Sequence, residues 1–427
     1  MQIEPQKIRD HNKKRKKRHR ETFDYLANQL DERGHVVDRL VQRIGSFQVA
    51  IPSWALGAGG TRFGRFPIGG EPGSLAEKIA DVGLIHALNR SSGAISLHIP
   101  WDIPEDTEAV KQLAESHDIT FDAVNSNTFQ DQEGQEHSYK HGSLCHTDRA
   151  VREQAIRHNI EVIEYGEALG SNALTVWLAD GSSFPGQQNF RKALQRTRDS
   201  LEEIYAGLPD DWSMLIEYKP YEPNFYSMVI PDWGTSFLLA TKLGDRAHTL
   251  VDLGHHLPNT NIEQIVATLL MEEKLGGFHF NDSKYGDDDL TTGSIKPYQL
   301  FLIFNELVEG TRDRVELEDS IAWMIDASHN VKDPLEDLLQ SVEAIKSAYA
   351  RALLVDRPRL AEARQVNDPA LAQEILQDAW QTDVRPLLRQ SRVENGAALD
   401  PIGAFRELEV RKTLIDERGS DTRATGL

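Results

Sequence analysis

Between residues 47 and 330 the chain repeats one pattern eight times: a short apolar run rich in β-branched or aromatic residues, then polar residues, then mostly helical spacing. The runs are Phe47–Trp54, Ala94–Pro100, Phe121–Asn127, Ala173–Asp180, Met214–Lys219, Thr249–Leu253, Gly277–Asn281 and Ala322–Asp326. Runs of this length read as buried strands. Between them, Ile262, Ile265, Val266, Leu269 and Leu270 fall on one helical face behind Asn261, an N-cap candidate, and Ile156, Ile160 and Ile163 mark a second face ending at Gly170. Alternating strands and helices call for right-handed crossovers and a parallel sheet. Eight such units predict the α/β class and a closed (β/α)8 TIM barrel in preference to an open doubly wound sheet. Residues 55–93 are rich in Gly and show no clean helix.

The ends fall outside this repeat. Residues 1–45 read as an N-terminal extension of one or two helices, 46–334 as the catalytic barrel, and 335–427 as the last barrel helix with a C-terminal helical extension. Leu335, Leu338, Leu339, Val342 and Ile345 start a long helix, and further helices over about 358–415 are divided at Asp368-Pro369 and Asp400-Pro401. The tail from Gly419 is expected to fray. The extension is too small for a second catalytic domain; contact with a neighbouring subunit is its expected use, with packing on its own barrel as the alternative.

A length of 427 residues suits one large barrel, and 39% apolar with 27% charged residues allows a sizeable core. No apolar run approaches the ~18–20 residues of a membrane span, and the amino terminus lacks the apolar segment of a secretory signal. A single cysteine, Cys145, excludes an internal disulfide framework and a thiolate zinc site. These features point to a soluble, cytoplasmic protein without a membrane partner. The net charge of −20 argues against nucleic acid. One run, residues 13–20, holds seven Lys or Arg in eight positions; it reads as the solvated face of a helix continued by Phe23, Leu26 and Leu30, with a patch for nucleic acid or an anionic surface as the alternative.

A parallel barrel places its active site at the carboxyl ends of its strands, so the polar residues closing each run belong together. Glu217 and Lys219 are two apart on one strand and face the same way. Asp252 closes the next run, with His255 three residues later; His279 lies in the seventh run, Asp287 and Asp289 follow it, and Asp326 closes the eighth. Singly, each reads as a hydrogen-bonded structural group, and the Asp triplet as a solvated turn. Together, buried carboxylates repel one another and are driven towards protonation unless cations neutralise them. Two divalent ions would do so; a metal-free polar cluster is the alternative. Carboxylate and imidazole without thiolate suit Mn²⁺, Mg²⁺ or Co²⁺. Lys219, a poor metal ligand, is left to hold a substrate oxygen or to balance charge. Trp54, Phe129 and Trp177 offer flat walls for the C–H faces of a sugar, with ordinary barrel core as the other reading.

Asp252-Leu253-Gly254-His255-His256, the stretch Phe278-His279 through Asp287-Asp288-Asp289, Glu217-Tyr218-Lys219, and Pro52-Ser53-Trp54 with Gly59-Gly60-Thr61-Arg62-Phe63 together resemble bacterial L-rhamnose isomerases. The likeness is greatest to the broad-specificity branch that also acts on D-allose, and it covers about residues 20–415. The same arrangement parallels the wider xylose-isomerase-like superfamily. The resemblance implies a first metal on Glu217, Asp252, His279 and Asp326, and a second on His255, Asp287 and Asp289 with Asp252 as bridge. It implies Mn²⁺ above Co²⁺ or Mg²⁺, Lys219, His98 and Asp326 as catalytic groups, and a sugar pocket of Trp54, Phe63, His98, Phe129, Trp177, Glu217 and Lys219. The loop carrying Phe63 would approach a neighbouring active site in a homotetramer. Asn281, Asp282 and Lys284 would support the ligands, and Asp288 would be solvated on the far side of an extended segment.

The implied reaction is reversible aldose–ketose isomerisation, led by L-rhamnose and L-rhamnulose, through a two-metal-assisted hydride shift or an enediol. The alternatives are another sugar isomerase or epimerase, a metal-dependent hydrolase of the endonuclease kind on a related barrel, and a non-catalytic sugar-binding protein. Net charge, Lys219 and the aromatic wall oppose the hydrolase.

Overall fold

A computed structural model of the protein describes residues 1–59, 64–312, 314, 317, 318, 320–328 and 331–425. Ten strands follow in chain order: β1 Ile51–Pro52, β2 Ala94–Ile99, β3 Thr120–Ser126, β4 Ala173–Val176, β5 Gly181–Ser182, β6 Ser213–Glu217, β7 Ser227–Met228, β8 Ala247–Asp252, β9 Leu275–Phe280 and β10 Ala322–Ile325. Eight of them form one parallel sheet in the order β1-β2-β3-β4-β6-β8-β9-β10. The ends meet where Ala50 bridges to Met324: the Ala50 N–H donates to the Trp323 carbonyl at 2.7 Å, and the Ile325 N–H to the Ala50 carbonyl at 3.2 Å. The expected eight-stranded TIM barrel is therefore present, one strand to each apolar run. β5 and β7 pair antiparallel in the loops after β4 and β6.

Strand parity explains both sides of the wall. Phe278 and Phe280 of β9 point outward, their rings stacked 5.0 Å apart and packed with Trp323 and Phe304, while His279 between them points into the barrel. The interior carries a layer of Ala50, Ala123, Ala173, Leu215, Leu250 and Met324. Six such residues, three of them alanine, leave room above them at the carboxyl ends.

The helices begin where local chemistry places caps. The Asn261 side chain accepts from the Gln264 N–H, as its position predicts, and Asp368 and Asp400 cap helices that open on Pro369 and Pro401. Gly170 ends the helix Arg149–Leu169 at φ +94°. Two readings need correction. The stretch 55–93 contains a fifteen-residue helix, Leu75–Asn89, capped by Ser74 on the Glu77 N–H. It shows no apolar stripe because polar and apolar faces alike are buried: Lys78 pairs with Asp102 at 2.6 Å, and Asp81 takes a two-pronged contact from Arg418. The tail after Arg418 is docked, not frayed. The Gly70 N–H donates to the Gly419 carbonyl at 2.9 Å, and the Ala424 N–H to Glu71 Oε2 at 2.9 Å.

The amino-terminal region forms three helices, Pro5–Lys13, Lys16–Glu32 and Val37–Ser46. The basic run spans the break between the first two, with Lys14, Lys16, Lys17, Arg18 and Arg20 exposed and Leu26 and Leu30 buried. A second core joins Leu26, Leu30 and Ile44 to Leu360, Leu387 and Leu388 of the C-terminal helices. Both extensions thus pack on each other and, through Phe301 and Ala350, on the barrel helices.

Candidate active site and metal centre

The parity of β6 puts Glu217 into the barrel mouth, and Lys219 two residues on lines the same cavity. Tyr218 turns the other way, where its hydroxyl shares a 2.7 Å hydrogen bond with His256 Nε2. That contact ties the segment carrying Glu217 to the loop carrying His255. Asp252 ends β8 fully buried, its carboxylate accepting from the Gly254 N–H (2.7 Å), the His255 N–H (3.2 Å) and the Asn281 amide (3.0 and 3.2 Å). Asp326 follows β10 and accepts from the Trp54 indole N–H at 2.7 Å.

Six of the seven expected ligands fall into two groups that share Asp252. Glu217, Asp252, His279 and Asp326 each bring one ligand atom within 4.8 Å of the others, and Asp252, His255 and Asp287 do the same. Asp289 lines the cavity but stands outside both groups, its carboxylate accepting from Ser328 Oγ at 3.1 Å. Glu217 Oε1 is 3.2 Å from Nδ1 of both His255 and His279, and His255 Nε2 is 3.0 Å from Asp287 Oδ1. His279 Nδ1 also faces Asp252 and Asp326 at 3.9 Å. Lys219 contacts Asp287, lies 3.3 Å from Glu222 and sits 5.4 Å from the Trp177 ring centre.

The loop after β9 is not the extended segment expected. Asp282 and Leu290 exchange backbone hydrogen bonds at 2.9 Å, and Asp287 and Asp289 both take φ +47°. Asp288 is half-buried and accepts the N–H groups of Lys284 (2.6 Å) and Tyr285 (3.0 Å), so it shapes the turn where solvation was expected. Asp282 Oδ2 likewise holds the N–H groups of Ile295 and Lys296. Of the three expected supporting residues, Asn281 donates to the candidate ligand Asp252 and Asp282 anchors the loop. Lys284 is exposed over Tyr285, away from the ligands.

Trp54, His98, Phe129 and Trp177 form the expected aromatic wall, with His98 5.3 Å from Trp54 and 5.5 Å from Phe129, ring to ring, and Phe129 5.0 Å from Trp177. Burial pulls the His98 imidazole down to about 4 against the pull of Asp102, so it stays neutral at physiological pH. Phe63 lies outside the described residues. The sequence reading missed Trp101, Asn125, Ser126, Thr175 and Ser328, which line the same cavity. Asn125 and Ser126 close the third run, and Thr175 shares its strand face with Trp177. Reading every strand end by parity would have found Asn125 and Thr175; Ser126, one residue on from Asn125, has the opposite parity and reaches the cavity only because the strand ends there.

Burial raises the Glu217 carboxyl, but the charges of His279 and His255 outweigh it and hold it down at about 2. For Asp252 burial dominates, abetted by Glu217 and Asp326, and pushes it up to about 7. Burial lowers His279 and His255, yet the surrounding carboxylates win: His279 rises to about 9 and His255 lies well above the ordinary imidazole range. The cluster therefore draws in positive charge. Its donors are oxygen and imidazole nitrogen, a set that fits hard or borderline divalent cations.

Residues 90–298 match the family described as xylose isomerase-like TIM barrel. The chain is 52% identical over 396 residues to a probable sugar isomerase of Rhizobium meliloti, covering 93% of this chain and 92% of that protein. It is 51% identical over 401 residues to a probable sugar isomerase of Mesorhizobium japonicum, covering 94% and 93%. A solved L-ribulose 3-epimerase aligns with a TM-score of 0.51 at 13% identity, over 76% of this chain and 99% of that one, a likeness of fold alone. Matched by the family's pattern over residues 90–298, and across nearly the whole length of two relatives at half identity or better, the chain belongs to the xylose isomerase-like TIM barrel family.

Proposed function

We propose that the chain is a divalent-metal-dependent aldose–ketose isomerase, with L-rhamnose and L-rhamnulose as its leading pair and D-allose among the further aldoses it accepts. The observation that carries this reading is the joining, in one cavity, of two ligand groups sharing Asp252 with Lys219 and the wall of Trp54, Phe129 and Trp177. Glu217, Asp252, His279 and Asp326 would hold one ion, and Asp252, His255, Asp287 and Asp289 the other, Mn²⁺ before Co²⁺ or Mg²⁺. When bound, such ions polarise adjacent sugar oxygens as Lewis acids.

The chain's own groups supply the rest. The Lys219 ammonium donates a hydrogen bond to the sugar oxygen on which negative charge develops. The aromatic wall seats the C–H face of the open-chain sugar and keeps bulk water from it. One His98 nitrogen is held by the Ser126 carbonyl, and the other meets a sugar hydroxyl. Asp326, fixed by the Trp54 N–H, is placed to take a hydroxyl proton. In the aldose-to-ketose direction, hydrogen then passes from C2 to C1 as a hydride, and the proton that Asp326 took from the C2 hydroxyl returns to the oxygen on C1. The reading includes a homotetramer in the cytoplasm, with the sugar as the small-molecule partner.

The test compares turnover of L-rhamnose, D-allose and D-xylose with added Mn²⁺, before and after EDTA treatment. Activity greatest on L-rhamnose and restored by metal is expected; no turnover of any of the three refutes the reading. Metal-dependent cleavage of abasic DNA would instead favour the hydrolase.

A further inference from the structure

At the opposite end of the barrel, one cavity is lined by six arginines, Arg33, Arg39, Arg43, Arg312, Arg357 and Arg359, against two aspartates, Asp356 and Asp378. The helix Val37–Ser46 runs into β1, and Arg312 follows the helix Pro297–Gly310 on the way to β10, so these residues gather at the amino ends of the strands. In a chain of net charge −20 this local excess of cations runs against the average.

Internal structure accounts for only two of the six. Arg43 pairs with Glu318 at 3.0 Å, and Arg357 with Glu309 at 3.0 Å while also holding the Ala352 carbonyl at 2.9 Å. Arg33, Arg39, Arg312 and Arg359 are exposed and have no ion-pair partner among the described residues. Arg359 sits in the first turn of the helix Arg357–Gln365, where the positive end of the helix disfavours a cation. The cavity floor is apolar, with Leu40, Leu354 and Ile375. A concave cationic surface over an apolar floor focuses its field on an incoming anion. Every basic residue that carries permanent charge here is arginine, whose fork matches phosphate oxygens in pairs, and none is lysine.

We propose that this cavity is a binding site for a small phosphate-bearing anion, separate from the sugar pocket and independent of which sugar that pocket takes. The phosphate oxygens meet Arg39 and Arg359, and any apolar part of the ligand lies on the Leu40 and Leu354 floor.

The test is calorimetric titration of the metal-loaded protein with inorganic pyrophosphate, with citrate as a phosphate-free anion of similar charge. Binding of pyrophosphate is expected, with citrate at least tenfold weaker. The double variant Arg39→Gln with Arg359→Gln should weaken pyrophosphate by about a hundredfold, since each lost charge-assisted bond is worth about a factor of ten, and leave sugar turnover unchanged. Arg359→Lys, which keeps the charge and loses the fork, should fall between. Equal affinity in wild type and double variant would place the anion elsewhere and overturn the proposal. So would an absence of binding in the wild type, or a double variant whose only change, by sedimentation, is loss of subunit assembly.

Discussion

Lys219 offers the sharpest separation between a catalytic cation and a structural one. It is 5% exposed, contacts Asp287 and stands 3.3 Å from Glu222. At an effective dielectric of about 20, the attraction to Glu222 alone is about 5 kcal/mol before desolvation is counted. Lys219→Met deletes that charge but keeps an unbranched side chain of similar length beside Trp177. If Lys219 faces an oxygen that gains charge during the reaction, its loss should lower turnover by about 10²–10³-fold, or ~2.7–4 kcal/mol in the barrier. Metal content should be retained, because a site with one cation fewer attracts divalent ions more strongly. Glu217→Gln should behave oppositely, losing metal first and activity with it. The assay is metal content by mass spectrometry alongside kcat and KM at saturating Mn²⁺. Turnover in Lys219→Met within about tenfold of wild type, or metal loss matching that of Glu217→Gln, would refute the argument and leave Lys219 as a structural counter-ion.

Asp288→Ala removes the acceptor that fixes the turn after β9, so occupancy of the group containing Asp287 should weaken by about 10–100-fold while the Glu217 group holds its ion; a two-step metal titration unchanged from wild type would contradict this. Gly70 has φ +66°, and a Cβ there would meet the backbone of Leu414 and Ile415 at 2.7 Å. Gly70→Ala should therefore cost more than the ~1–2 kcal/mol of the left-handed conformation alone, lowering the thermal midpoint; an unaltered midpoint would mean the helix Val410–Arg418 yields freely. Burial, with Arg392 adding and Glu343 opposing, brings Lys346 down to about 7. Its folded pKa lies below the unfolded value, so the penalty is complete below pH 7 and is relieved between about 7 and 10.4, where the unfolded chain holds the extra proton. Relative to Lys346→Met, wild type should gain roughly 4 kcal/mol of stability across that window; denaturant titrations at pH 6 and pH 10 showing equal gaps would refute it.

The barrel was legible because strands buried on both faces read as continuous apolar runs, and each of the eight runs contains a strand. The candidate ligands were legible as a set: each alone reads as a structural group, but strand ends in a parallel barrel converge, and so many buried Glu, Asp and His facing one another call for cations. The helix Leu75–Asn89 was hidden because its polar side is satisfied by residues remote in sequence, Lys78 by Asp102 and Asp81 by Arg418. The docked tail was hidden for the same reason: Gly419 to Ala424 find their partners at Gly70 and Glu71. The geometry around Asp287 failed a simpler test. Period-two alternation holds only while the chain is extended, and two residues at φ +47° end it.

Charge balance links these pieces. Glu217, Asp252, Asp287, Asp289 and Asp326 converge on one cavity, and among the described residues that line it Lys219 is the only permanent cation. Once His255 and His279 give up the protons that the metal-free cluster holds on them, as nitrogen ligands must, the set carries four negative charges in excess, in a region where Asp252 is wholly buried. One divalent ion would leave half of that excess uncompensated in a poorly solvated site, whereas two would neutralise it. The shared position of Asp252 fits this count, since a carboxylate between two cations escapes the repulsion that otherwise raises its pKa. Lys219 enters the same balance with the opposite sign. Its removal deepens the negative excess, and removal of Glu217 relieves it, which is why the first change should hold the metals in place and the second release them.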